Sequence, residues 1–306
     1  MGKIVVTAGE EYVDIDALAS AIAYNDLLKK EGKNSTVVLS GEFNKSITEN
    51  IKKWNFSYTK KFNFKNADFV IVDISHPEHL ARFVEIEKII ELYDHHFGYE
   101  QIWKQKPTGK IRIEQVGACA TLIWEEFKLR GFAKEISQTS ARLITAAIIS
   151  NTLNFNSSVT NKRDIKAFQD LREIADLPKL WVENYFEDQE KAMFKNPKKE
   201  IINDTHIEKF PNSEDMLIIG QVELWDSREF IKKYTDDIKE ALGSLGSNDW
   251  FLTSPSISEG KNYIYTVSKR VKDLLTKKIK ATFRGDVGTT NKLLLRKEIK
   301  KIIYNY

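Results

Sequence analysis

Lys3-Ile4-Val5-Val6-Thr7-Ala8, then Gly9-Glu10-Glu11-Tyr12-Val13-Asp14-Ile15-Asp16, is the stretch that decides the fold. Residues 3–8 read as a buried strand. Residues 16–30 read as a helix whose Leu18, Ile22 and Leu28 lie near one face, and Gly32 stops it. The unit is therefore a strand, an acidic loop and a helix.

The same alternation continues outward. Residues 36–39, 69–72 and 89–92 read as strands, and 47–54 and 77–87 as helices between them. Such alternation predicts an α/β fold, a parallel sheet with helices on both faces. Beyond Gly117 the chain turns helical, over 118–129, 137–150 and 162–174. Between 189 and 199 the composition shifts to charge around the turn signal Asn196-Pro197. The expected organisation is a first domain over 1–188, a linker over 189–199 and a smaller α/β domain over 200–306. In the latter, strands are expected at 205–210, 216–222, 250–253, 263–268, 279–283 and 292–295, and a helix from 228 to about 242.

Composition narrows the function classes. The chain has 306 residues, 42% of them apolar, and no apolar run approaches the roughly 20 residues of a membrane helix. Glu10, Glu11, Asp14 and Asp16 stand where a secretory signal would stay apolar, so a soluble, cytoplasmic protein is expected. The single cysteine, Cys119, excludes an internal disulfide framework and any multi-cysteine zinc site, and reads as a small buried side chain. A formal charge of +3 argues against a nucleic-acid partner. Residues 261–306 nevertheless hold thirteen Lys/Arg against three acidic residues, which suits either a solvated helix face or a polyanion-facing surface.

Ligands of α/β sheets bind outside the carboxyl ends of the strands. Three such ends carry acids or imidazoles: residues 10–16, Asp73, and Asp94-His95-His96. Singly, each has a plain explanation as a helix cap or a structural histidine. Together, carboxylates delivered to one edge repel unless cations lie between them, and carboxylate plus imidazole suits Mn²⁺ or Mg²⁺ better than structural zinc. A pair of ions about 3.5–4 Å apart, activating a water that attacks phosphorus, is the expected chemistry.

Asp14-Ile15-Asp16-Ala17-Leu18-Ala19-Ser20-Ala21-Ile22, then Asp73, then Asp94-His95-His96, resembles the DHH phosphoesterase signature. Val116-Gly117-Ala118-Cys119-Ala120-Thr121 and Ala146-Ala147-Ile148-Ile149-Ser150-Asn151-Thr152-Leu153 resemble further motifs of its family II pyrophosphatase and exopolyphosphatase (prune-like) branch, as do Gly220-Gln221-Val222-Glu223 and Arg296-Lys297. No Gly-Gly-Gly-His element appears, which argues against the branch that degrades short oligonucleotides. The resemblance implies a two-domain fold with the active site in the interdomain cleft. Its metal ligands would be Glu10, Asp14, Asp16, Asp73, His95 and Asn151, with Asp73 bridging two Mn²⁺ or Mg²⁺ ions. Asp73, His96, Arg296 and Lys297 would be catalytic, the last three also holding a small phosphate-containing substrate. A homodimer is compatible with it.

Three positions depart from the pyrophosphatase pattern. Glu10 stands where that branch has a metal-binding His, although Gly9-Glu10-Glu11 is nearer to the Gly-Asn-Glu of the exopolyphosphatase members. Asn151 stands where it has an Asp. Neutral His to Glu adds a negative charge and Asp to Asn removes one, so the summed charge is unchanged and the preference moves towards harder ions such as Mg²⁺. His206 stands near the position of a substrate-binding Lys, with Lys209 close by. The expected function is hydrolysis of a phosphoanhydride, pyrophosphate or short polyphosphate. The alternatives are a degenerate member that binds a phosphate ligand or protein without turnover, and a phosphodiesterase acting on small nucleotides.

Overall fold

A computed structural model describes residues 3–105 and 109–304. The chain forms two compact units. The first comprises 1–155 and 159–179, the second 156–158 and 180–306.

In the first unit, β1 (Lys3–Thr7), β2 (Ser35–Val37), β3 (Ala67–Val72), β4 (Ile89–Asp94) and β5 (Lys110–Ile113) form one five-stranded sheet in the order β2-β1-β3-β4-β5, with every pairing parallel. Residues 4–7 and 69–72 are all buried, as in strands covered on both faces. The helix α1 (Ile15–Lys30) packs against α2 (Cys119–Leu129) and α3 (Gln138–Asn151), and α4 (Lys162–Ala175) packs on α3. A second core joins Val5, Phe69, Ile71 and Leu92 to Leu80 and to Trp103 of the short helix Glu100–Lys104. The parallel sheet with covered faces is the architecture expected.

Local differences have local causes. Residues 77–87 are not one helix: a 3-10 turn at Pro77–His79 ends at Leu80, which bridges to Gly9 in extended conformation. Residues 47–54 contain only the helix Glu49–Lys52. The strand β5 lies where none was expected, because Lys110 and Arg112 break its apolar pattern while pairing with Glu126.

The second unit begins with α5 (Trp181–Lys195) and α6 (Pro197–Asn203), so the segment 189–199 is helical where a linker was expected. Lys191, Lys195 and Lys199 there are exposed, while Tyr185, Phe186, Glu190 and Ile201 are buried. A six-stranded sheet follows: β6 (Thr205–Lys209), β7 (Met216–Gln221), β8 (Trp250–Ser256), β9 (Lys261–Tyr265), β10 (Thr282–Arg284) and β11 (Val287–Thr289), ordered β10-β11-β9-β8-β7-β6. Only β7 and β8 pair in parallel within it. Helices α7 (Ser227–Lys233), α8 (Thr235–Gly243), α9 (Lys269–Ile279) and α10 (Arg296–Tyr304) complete the unit.

Ile279, expected in a strand, ends α9 instead. Residues 292–295 form no strand. There the Asn262 side chain takes the place of a neighbouring strand, accepting from the Leu294 N–H at 2.7 Å and donating to its carbonyl at 2.7 Å. Among the described residues no helix is long and apolar enough to cross a membrane.

Candidate metal centre

Three chain segments deliver acids to one edge of the first sheet. Asp14 caps α1, its Oδ1 accepting the N–H groups of Asp16 at 3.0 Å and Ala17 at 2.9 Å. Asp73 follows β3 with φ +61°, a left-handed conformation that is uncommon outside glycine and that Asp tolerates better than most residues. Its N–H donates to the Tyr93 carbonyl at 2.8 Å, which fixes it beside the end of β4. Asp94 ends β4 and folds back on the two histidines after it, accepting from the N–H of His95 at 2.7 Å and of His96 at 3.2 Å.

His95 joins the set: its Nε2 lies 3.4 Å from Asp73 Oδ1 and 3.6 Å from Asp16 Oδ2. Its Nδ1 lies 3.1 Å from the Val116 carbonyl, an acceptor that turns Nε2 towards the carboxylates. Asp16 is fully buried. It accepts the N–H groups of Cys119 and Ala120, at 2.7 and 2.8 Å, from the start of α2, and the Asn151 amide at 2.7 Å from the end of α3. The sequence Val116-Gly117-Ala118-Cys119-Ala120 thus serves to aim a helix N-terminus at a carboxylate. Cys119 itself is buried, as expected, with burial pushing its thiol pKa well up, helped by the charges of Asp73 and Asp16.

The electrostatics are those of a cation site. Burial raises Asp16 to about 6; His95 opposes the rise and Asp14 adds to it. Burial, then the charges of Asp16 and Asp14, lifts Asp73 well above the carboxylate range. Asp73 Oδ1 is buried and has no hydrogen-bond partner among the described residues. Asp73, His95 and His96 offer ligand atoms all within 4.8 Å of one another. An orphaned carboxylate oxygen beside an imidazole and a second buried carboxylate fits a divalent cation. Burial also pushes Asp94 up, but its hydrogen bond and attraction to His96 outweigh this and hold it low. His96 is raised in turn, first by that hydrogen bond at 2.8 Å.

A cavity of about 340 Å³ opens over this edge, lined by Glu10, Asp14, Asp73 and His96 among others. The Glu10 carboxylate on its wall accepts the Arg82 N–H at 3.0 Å and pairs with the Arg82 guanidinium at 3.1 Å. His76, His79 and Tyr99 also line the cavity and were not singled out from the sequence. Their signal was His76-Pro77-Glu78-His79 directly after a strand end.

In the second unit, His206, Arg296 and Lys297 come together in a cavity of about 500 Å³ with Gln221, Lys300 and Lys301. Arg296 bonds the Asp204 carbonyl, pairs with its carboxylate at 2.6 Å, and donates its N–H to the Gln221 side chain. Lys297 is exposed. Lys209 lies apart, paired with Glu214 at 2.6 Å in another surface depression.

Fold and site together define an α/β protein with a buried carboxylate–imidazole centre at the carboxyl edge of a parallel sheet. The model described as "DHH family, N-terminal domain" matches residues 3–148. The chain is 30% identical over 174 residues to a Lactobacillus helveticus protein named "Probable manganese-dependent inorganic pyrophosphatase", covering 55% of this chain and 54% of the relative. It is 31% identical over 179 residues to a protein of the same name from Clostridium acetobutylicum, covering 58% and 56%. The chain thus spans about half the length of the curated relatives it matches. Among solved structures, a candidate family II inorganic pyrophosphatase from Methanococcus jannaschii shares the fold with TM-score 0.61 and 23% identity, over 99% of this chain and 100% of that one. An exopolyphosphatase-related protein from Bacteroides fragilis gives 0.55 and 13%, over 98% and 90%.

Proposed function

We propose that the chain is a cytoplasmic, metal-dependent phosphohydrolase that cleaves a phosphoanhydride, pyrophosphate or short-chain polyphosphate, at the strand-end site of its first unit. The observation that carries this reading is the Asp73 carboxylate: buried, raised in pKa, with one oxygen unpartnered and His95 Nε2 at 3.4 Å. The pyrophosphatase names of the relatives support it. Asp16, Asp73 and His95, with Asn151 beside Asp16, would hold one cation. Asp14 and Glu10 would complete the set for a second, Asp73 being shared. Bound Mn²⁺ or Mg²⁺ supplies a water acidic enough to attack phosphorus near neutral pH and neutralises phosphoryl oxygens.

The remaining work falls to the chain. Asp94 shifts His96 towards its charged form, which would favour an anionic substrate across the cavity. The start of α2 holds Asp16 in one orientation, so its carboxylate needs no rearrangement to bind a cation. Arg296, Lys297 and His206 would bind phosphate, with Asp204 and Gln221 fixing Arg296. Lys209, paired elsewhere, is the weakest member of the set.

The test is phosphate release from pyrophosphate, tripolyphosphate, long polyphosphate and a linear dinucleotide with Mn²⁺, Mg²⁺ or Co²⁺. Release from the anhydrides that Asp73→Asn abolishes is the expected result; none from any compound would sink the reading. A second reading, a phosphate-binding member without turnover, is favoured by the Glu10–Arg82 and Asn151–Asp16 contacts, which occupy two ligand positions with protein partners. It predicts cation binding by calorimetry with no phosphate release.

A further inference from the structure

The cavity above Asp73 has a rim that inorganic phosphate does not explain. The His76 and His79 rings are stacked, with centroids 4.1 Å apart and planes 7° from parallel, and Tyr99 lies against His76 at 4.2 Å. Tyr12, 59% exposed, lines the same cavity. Five of the cavity's residues, His96 included, are therefore flat π systems. Pyrophosphate and polyphosphate have neither apolar surface nor a ring, and an aromatic rim adds nothing to their binding. A planar base does gain from such a surface, because every base has a π face. The volume of about 340 Å³ falls within the roughly 300–1,000 Å³ of pockets that take organic ligands.

We propose that this site takes, besides inorganic anhydrides, a nucleoside phosphate: its phosphate end lies at Asp73 and His96, and its base stacks on the His76–His79–Tyr99 rim. The inference rests on the hydrolytic reading above and names its substrate class. For a nucleoside diphosphate, the water oxygen bonds to the terminal phosphorus and the bond from that phosphorus to the bridging oxygen breaks. The nucleoside monophosphate leaves with the bridging oxygen and its electron pair, inorganic phosphate is released, and the water's proton goes to solvent.

His79 is exposed, its ring touching His76 and its carbonyl accepting the Glu10 N–H at 3.1 Å, so its side chain can be changed without removing that bond. The experiment titrates the full chain, with Mn²⁺ present, with adenosine monophosphate and with ribose 5-phosphate, which share the phosphate and differ in the base. Adenosine monophosphate is expected to bind at least about fivefold tighter, in line with base–aromatic stacking. That ratio should fall towards unity in His79→Ala and be kept in His79→Phe. Equal affinities in the unmodified chain, or a ratio unaffected by His79→Ala, overturn the proposal. If His79→Ala does not fold, the unmodified chain and His79→Phe decide. Phosphate release from pyrophosphate alongside equal affinities would reject the base site alone, whereas a clear ratio without release from any anhydride would reject hydrolysis and leave the base site standing.

Discussion

Asp73 combines more constraints than any other residue of the first unit: a left-handed backbone, burial, a raised pKa and an oxygen without a donor. Each costs free energy in the cation-free chain, and a divalent cation relieves the last three together. Asp73→Asn is therefore expected to lower cation affinity by at least about 100-fold, beyond the roughly 10–100-fold lost when groups behind the ligands are changed. Calorimetric titration with Mn²⁺ checks this. Asn151 invites the opposite change. Its amide donates to Asp16 at 2.7 Å, so Asn151→Asp would set two carboxylates against each other where one hydrogen bond now stands. The variant should melt lower than the unmodified chain without cation and gain more in Tm on adding Mn²⁺. Equal gains would show that position 151 does not meet the ion.

Between elements, the site depends on how closely α2 and α4 approach. Asp164, fully buried in the capping box of α4, accepts from the Gly117 N–H at 2.8 Å, the Thr121 hydroxyl at 2.7 Å and the Asn161 N–H at 2.9 Å. A Cβ on Gly117 would stand 2.8 Å from that carboxylate and 2.6 Å from the Thr152 methyl, so the glycine is required by the approach itself. Asp164→Ala should cost about 3 kcal/mol in urea unfolding, since three donors lose their acceptor at roughly 1–3 kcal/mol for a buried unsatisfied group. The motif Val116-Gly117-Ala118-Cys119 was legible in the sequence through its resemblance to a glycine-started helix of the pyrophosphatase-like branch. So were the strand-end acids, which follow apolar runs. The rim histidines were not, because a 3-10 turn leaves no helical period to read. Residues 292–295 misled for a different reason: Leu293 and Leu294 are buried like strand residues, yet a side-chain amide distant in sequence replaces the ladder. The charged stretch 189–199 looked unburied, yet its Glu190 is buried and accepts the Trp225 N–H.

Across the molecule, ionic stabilisation is unevenly divided. The first unit carries a connected network. Glu126, with no side-chain exposure, pairs with Lys110 at 2.6 Å, Arg112 at 2.7 Å and Arg130 at 3.2 Å; Glu125 pairs with Arg112 at 2.8 Å and Arg163 at 2.6 Å. Burial pushes both carboxyls up, but the hydrogen bonds from Lys110 and Arg112 to Glu126, and from Arg163 and Arg112 to Glu125, hold them below the ordinary 4.5. In the second unit, the lowered acids Asp215 and Glu259 sit in surface pairs, which contribute little. Cations should therefore protect the first unit alone: adding Mn²⁺ at about 100 times Kd contributes about 2.7 kcal/mol there, read as slowed hydrogen exchange in β3 and β4 but not in β7 and β8. Acid should act on the same unit by the other route. A carboxylate depressed in the folded state stabilises above its unfolded pKa and loses that contribution as pH falls through the folded value. Glu126→Gln leaves buried cations without their partner and should cost about 3 kcal/mol at pH 7, the lower end for a broken buried pair because Lys110 is 43% exposed. The difference between the variant and the unmodified chain should then shrink as pH drops below about 4.5, while exchange in β7 and β8 stays the same in both. A difference that held constant down to pH 3 would mean that Glu126 stabilises the unit by packing and not by charge.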